Sequence, residues 1–365
     1  MIKVIFLFLL PVIILNGGCF RLQSDREDGF YVSAWYVPYD YTRGFASFSQ
    51  NTRLIDEINP VWYNLNPEYF SSPRAPFVTC YPPNKKDFVS VAKTSGIKIL
   101  PTIQNWGSGN FDATNITKIL NDSGQRAKHV REIVNLVLSA GYDGIDIDYE
   151  SLPAGDRDVF SAFIAELGAA LREHDKLLSV AIYAKTTPGI NWAGAGAQDW
   201  PKLARSADLL KVMAYDYHWS SFHPGPISPV DWLQDILNYS RTIPELKGKL
   251  LIGLPLYGLN WGAGPTAKEI MYNEAVHLLA QTNSSPARDN IQHQHPFCYE
   301  YYDNVEPYFT YTDSSGQHTV YYQDSTATRA RLAVIDRYGD VVKGVGFWRL
   351  GGEDPAVWTE LTPYK

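Results

Sequence analysis

The chain has 365 residues, 45% of them hydrophobic, which allows one barrel-sized globular domain with a real core or two ordinary domains. Its formal net charge is -7, and no basic run interrupts it, which argues against nucleic acid as the main partner. Aromatics make up 14%, including 24 Tyr and 10 Trp, a surplus that suits a large core and also stacking on the apolar faces of sugar rings.

The chain opens MIKVIFLFLLPVIILNGGCF: one cation, Lys3, then an apolar run from Val4 to Leu15, then small residues. This reads as an export signal over residues 1–18. The run is short for a membrane span and Pro11 interrupts it. The ending LNGGC resembles a bacterial lipobox, which would make Cys19 the lipidated first residue, although Asn16 stands where Leu is usual. The expectation is an exported protein, either a lipoprotein held at the membrane through Cys19 or a cleaved, secreted one, with residues 19–29 as a linker. Cys80 and Cys298 remain, far apart in sequence, and nothing in the spacing decides whether they pair. The HQH at His293 and His295 has no further ligand spacing, so the sequence gives no metal site and no cofactor.

Eight apolar, β-rich segments follow: 31–37, 59–65, 97–103, 142–149, 177–184, 207–215, 249–256 and 344–349. Most are continuous apolar runs, the pattern of strands covered on both faces in a parallel sheet. Helical patterns lie between them, at 126–140, 156–173 and 232–240. Eight strands alternating with helices predict an α/β fold, the (β/α)8 TIM barrel, over residues 30–261 and 324–365. Residues 262–323 read as a small α+β insertion between strands seven and eight, with a helix at 267–281 and Tyr-rich alternating runs that predict antiparallel strands. A helix over 325–338 returns to the barrel.

The segment GYDGIDIDYE, residues 141–150, crowds acids along the fourth strand. Side chains two apart share a face, so Asp146, Asp148 and Glu150 form one row at a spacing of ~7 Å, while Ile145, Ile147 and Tyr149 face the helices. In a barrel the row points inward, with Glu150 at the C-terminal mouth, where barrel enzymes carry their sites. Like charges in a low-dielectric interior raise at least one carboxyl pKa, which suits an outer acid that donates a proton. Asp143 has the opposite parity unless a turn or bulge at Gly144 reorients it. A divalent-metal site and a solvated acidic edge strand are the competing readings; the alternation of acids with isoleucines fits neither well.

These residues resemble the DxxDxDxE signature of glycoside hydrolase family 18, the chitinase-like barrels. MAYDYH (213–218), GLPLYGLNW (253–261) and GVGFWRLGGEDPAVW (344–358) resemble the ends of that family's strands six to eight, and HPGPISPVDW (223–232) resembles its spore-cortex and cell-wall N-acetylglucosaminidase branch. The resemblance spans roughly residues 30–360. It implies substrate-assisted, retaining hydrolysis of glycans containing N-acetylglucosamine, in which the 2-acetamido oxygen attacks the anomeric carbon. By resemblance, Glu150 is acid and then base, Asp148 stabilises the acetamido group, Asp146 is coupled to Asp148, and Asp143 is structural. Tyr215 orients the acetamido carbonyl, Asp216 binds a sugar hydroxyl, and Trp348 forms the floor. Tyr257, Trp35 and Trp106 are candidate wall residues; each alone would equally be packing. Tyr299, Tyr301, Tyr302, Tyr308 and Tyr311 either line sugar subsites or form the insertion's own core. The substrate is expected to be cell-wall glycan or chitin oligosaccharides, and the protein a monomer. The alternatives are an endo-acting enzyme on N-glycans and a catalytically silent sugar-binding protein, the latter disfavoured by the retained Glu150.

Overall fold

Eight parallel strands close on themselves: β1 (Tyr31–Tyr36), β2 (Glu57–Leu65), β3 (Thr102–Gln104), β4 (Gly144–Asp148), β5 (Leu177–Tyr183), β6 (Leu209–Met213), β7 (Leu250–Pro255) and β8 (Val342–Trp348). β1 pairs with both β2 and β8, which shuts the barrel and meets the sequence expectation. The coordinates are a computed structural model describing residues 29–66, 78–80, 85–107, 109–189, 192–288, 290–295, 298–303 and 305–365. The leader and Cys19 lie outside these residues, as do the side chains of Cys80, Cys298, His293, His295, Tyr299, Tyr301 and Tyr302.

Helices sit between successive strands, among them Tyr41–Gln50, Ser123–Ala140, Arg157–Arg172, Val230–Arg241 and Ser325–Asp336. Their starts follow local chemistry. Asp122 accepts from the Gln125 N–H (2.9 Å) and Asp324 from the Ala327 N–H (2.9 Å), satisfying donors that a first helical turn leaves free. Ser123–Ala140 ends at Gly141 in the left-handed conformation (φ 66°), where glycine carries no Cβ penalty. Outward strand residues such as Ile145, Ile147, Val180, Ile182, Leu210 and Val212 pack with Phe163 and Leu167 of the helical layer in one core. Each such buried side chain contributes about 1.5–3 kcal/mol.

The third strand differs from expectation. Residues 97–103 are not one strand but two short pieces, Lys98–Ile99 and β3, because Pro101 has no N–H for the ladder. Gly144 makes no bulge; it is a regular strand residue. A Cβ there would lie 2.2 Å from the Leu177 carbonyl oxygen, so glycine lets β4 and β5 approach.

The insertion starts earlier than 262. Tyr257–Trp261 leaves the barrel and forms the middle of an antiparallel sheet with Lys268–Met271, Gly316–Tyr321 and Tyr308–Asp313. Residues 268–271 are therefore strand, and the helix begins at Tyr272 rather than 267, with Glu274 accepting from the Met271 N–H (2.9 Å). Asn290–His295 and Cys298–Asp303 form a separate hairpin. Tyr308 stacks on Tyr321 and Tyr311 on His318, so both serve the small sheet's own packing.

A buried ion pair joins this unit to the barrel. Glu306 accepts from the Ile227 and Ser228 N–H groups (2.6 Å each) and pairs with Arg331, which also donates to the Ser228 carbonyl (2.9 Å). Removing one partner of a buried pair strands the other's charge. Arg331→Met is expected to destabilise the fold by about 3–5 kcal/mol, read from urea unfolding; an unchanged midpoint would refute this role.

Candidate active site

The barrel interior is polar where the sequence suggested only acids. Ser33, Glu57, Asn59, Thr102, Asp146, Ser179 and Lys211 are all fully buried inside it. Asp146 accepts from Trp35 Nε1 (2.9 Å), Thr102 Oγ1 (2.8 Å) and Lys211 Nζ (3.1 Å). Lys211 also pairs with Glu57 Oε1 (2.7 Å). Its charge compensates this layer, and sequence reasoning missed it. The available signal was a single lysine inside the apolar run ADLLKVMAY.

One step higher in the row, Asp148 is buried and accepts from Gln104 Nε2 (2.8 Å), while its Oδ1 meets no hydrogen-bond donor among the described residues. Burial first, and then the charge on Asp146, raise its pKa from near 3.8 to about 7; the Gln104 hydrogen bond opposes the shift. Glu150 follows the strand end. Asn105, just after β3, clamps its backbone from both sides, with Oδ1 accepting from its N–H and Nδ2 donating to its carbonyl (2.8 Å each). Burial and then the Asp148 charge push the Glu150 pKa well above its ordinary value, against a hydrogen bond from Tyr183. Glu150 therefore keeps its proton to a higher pH than an ordinary glutamate, beside an Asp148 shifted in the same direction. Like-charge neighbours share protons in this way.

β6 delivers Tyr215 and Asp216 to the same place. Burial and the Asp148 and Glu150 charges hold Tyr215 in its hydroxyl form. Asp216 lies in the left-handed region (φ 59°), which aspartate tolerates better than most residues, and its carboxyl accepts from the Tyr257 hydroxyl. Trp348 ends β8 and packs edge-on against Trp35 with ring centroids 5.9 Å apart.

These groups open onto one cavity of about 720 Å³, lined by Asp148, Glu150, Tyr215, Asp216 and Trp348 of the predicted set. Trp192, Trp219 and Trp232 complete its aromatic wall. Trp192 is 47% and Trp219 49% exposed, large apolar faces left open beside the acids. Trp219 stacks on Phe222 in the loop that Glu306 and Arg331 anchor. Sequence reading missed this wall because Trp192 and Trp219 lie in irregular loops, which carry no periodic signal, and Trp232 lies in the first turn of a helix, where its aim depends on the packing of that helix.

Three predicted wall residues stand elsewhere. Trp35 is 1% exposed; its indole lies beneath the site, holding Asp146. Tyr257 is 5% exposed and supports Asp216 from behind. Trp106 is exposed at the rim, packed edge-on against Phe111, and it is Phe111 that faces the cavity. Asp143 sits at the opposite end of β4, accepting from the Ile99 N–H (2.9 Å), so it ties strands together away from the cavity.

A parallel barrel with inward carboxyls under an aromatic-walled mouth defines a carbohydrate-active class of (β/α)8 protein. The model of glycosyl hydrolases family 18 matches residues 35–353, and the chain belongs to that family. It is 30% identical over 262 residues to YdhD of Bacillus subtilis, named as a sporulation-specific glycosylase, a match covering 71% of this chain and 59% of that protein. The chain therefore spans about three fifths of that relative's length. It is 27% identical over 312 residues to the cortical fragment-lytic enzyme of Bacillus anthracis, covering 83% of this chain and 68% of that one. In fold it is similar to the chitinase of Chromobacterium violaceum, with TM-score 0.77, 24% identity, and 91% and 98% of the two chains covered. The spore cortex-lytic enzyme SleL of Bacillus cereus gives TM-score 0.77, 21% identity, and 92% and 74%.

Proposed function

We propose that this protein is a glycoside hydrolase that cleaves β-linked, N-acetylglucosamine-containing glycans by substrate-assisted, retaining catalysis, with cell-wall glycan as its substrate. The observation that carries this reading is the convergence of Glu150, whose pKa burial raises, Asp148 and the Tyr215 hydroxyl on one aromatic-walled cavity. Family membership supports it, and the names of the cortical fragment-lytic and sporulation relatives favour cell wall over chitin.

In this scheme the sugar lies over Trp348. Glu150 gives its proton to the leaving oxygen as the substrate's acetamido oxygen attacks the anomeric carbon. No protein nucleophile is needed, which sets this apart from the two-carboxylate route. Asp148 accepts from the acetamido N–H and offsets the positive charge of the oxazolinium. Tyr215 donates to the acetamido carbonyl oxygen and aligns it for attack. Glu150, now ionised, takes a proton from the water that opens the ring, with net retention.

The test is product analysis by mass spectrometry on purified cell wall, chitin oligosaccharides and a high-mannose glycopeptide in parallel. Fragments from cell wall are expected. Cleavage confined to another substrate would reassign the glycan, and binding without any products would identify a silent sugar-binding protein. Tyr215→Phe is expected to lower kcat about 10- to 100-fold with little change in KM, because it removes alignment rather than uniform binding. A raised KM at constant kcat would contradict that role.

A further inference from the structure

Lys211 is the third residue of β6, and its neighbours Leu210 and Val212 face the helical layer. An ammonium has three donors and no acceptor. Here three acceptors surround Nζ: Glu57 Oε1 at 2.7 Å, Asn59 Oδ1 at 2.7 Å and Asp146 Oδ1 at 3.1 Å. The Trp35 ring lies 5.0 Å away. Asp146 receives donors on both oxygens, Lys211 on Oδ1 and Trp35 with Thr102 on Oδ2. Oδ2 already takes two donors and Oδ1 lies against the ammonium, so a proton on Asp146 would either displace a donor from Oδ2 or leave the buried cation facing an uncharged carboxyl. Asp148 differs: one of its oxygens is held by Gln104 and the other, Oδ1, is buried and meets no donor among the described residues. A proton shared with Glu150 is accommodated there.

We propose that Lys211 is a positioning residue for the acid row: it fixes the negative charge on Asp146 and so confines the row's exchangeable proton to the outer pair, Asp148 and Glu150. This rests on the reading of that pair as the catalytic one. One proton passes between two carboxyls and leaves through Glu150 to the departing oxygen, while Asp146 neither gains nor loses one.

The other titratable groups around the row are Tyr31 on β1, whose hydroxyl donates to Glu57 Oε2 (3.0 Å), Glu57 on β2, Tyr183 on β5, and Tyr215 and Asp216 after β6. Glu269 of the small sheet acts on Asp216. Lys98 and Lys343 flank the Tyr31 ring at 5.6 and 5.5 Å, at the barrel's other end. The Lys211 charge acts directly on Asp148, favouring its ionised form.

Lys211→Met alone strands two buried carboxylates and reports mainly on folding. The paired variant Glu57→Gln/Lys211→Met removes one charge of each sign. The experiment follows Asp carboxyl carbons by NMR in protein labelled with carbon-13 aspartate, assigned through Asp146→Asn and Asp148→Asn, alongside the pH dependence of kcat and KM on an N-acetylglucosamine oligosaccharide. In the unsubstituted protein Asp146 stays ionised through the range where the outer pair titrates; in the paired variant it titrates with them. The acidic limb of kcat, where Asp148 must ionise, moves up by about one pH unit or more in the paired variant, with KM near its original value. A lysine that only holds the fold together would lower Tm and leave the limb in place, and that result overturns the proposal. So does an Asp146 that titrates with the outer pair before any substitution. If no acetamido glycan is turned over while Asp146 stays ionised, the charge assignment is supported and the catalytic reading fails.

Discussion

Glu150→Gln is expected to cut turnover about 10²- to 10⁴-fold while leaving substrate binding close to its original strength. The amide has nearly the shape of the protonated carboxyl, so the Asn105 clamp on the Glu150 backbone and the cavity wall are kept. What is lost is the proton for the leaving oxygen and the base for the second step. An aryl glycoside with an acidic phenol as leaving group needs little protonation, so its first step should suffer far less than that of a natural glycan. The measurements are steady-state kinetics on both substrates and binding of an oligosaccharide by calorimetry. Unchanged rates in the variant would remove Glu150 from the chemistry, and with it the proposed function.

Asp148→Asn is expected to produce the second large effect, in two independent readouts. Turnover of acetamido sugars should fall strongly, because a neutral amide cannot offset the oxazolinium charge; an equal rate on sugars lacking the acetamido group would point to a different mechanism. Stability should change in a pH-dependent way. Asp148 titrates near 3.8 when unfolded and at about 7 when folded, so between those values the folded protein holds a proton that the unfolded chain has lost. Stability from this group is therefore full below about pH 4 and is lost as pH rises toward 7, with a slope approaching ~1.4 kcal/mol per pH unit. The asparagine variant lacks that term. Urea unfolding across this window should show it gaining on the unsubstituted protein as pH rises, and parallel curves for the two would mean that Asp148 holds no extra proton.

Much of the site was legible because β4 obeys a simple rule. Period-two alternation puts Asp146, Asp148 and Glu150 on one face whatever surrounds them, and Tyr149 on the other, where its hydroxyl meets His129 Nε2 (2.7 Å). Tyr215, Asp216 and Trp348 were legible from motif alone, since Trp348 ends β8 and the other two follow directly after β6. Trp35 stayed open between wall and packing: a tryptophan on an inward strand position can reach a ligand or a buried carboxylate, and only its depth in the barrel decides which. Tyr257 stayed open for a related reason. Its strand was assigned to the barrel, whereas Tyr257–Trp261 pairs with Lys268–Met271 in the small sheet, and that turns the ring behind Asp216.

By itself, the sequence determined the barrel and the acidic row, because strand periodicity and alternation are local and survive any tertiary arrangement. The tertiary structure alone decided how that row is charged and what walls it. Lys211 is 65 residues from Asp146 in sequence and 3.1 Å from it in space, and Glu57 is 154 residues from the same lysine. A buried cation changes the protonation of carboxyls through distance and low dielectric, and neither quantity is written in the spacing of residues along a chain.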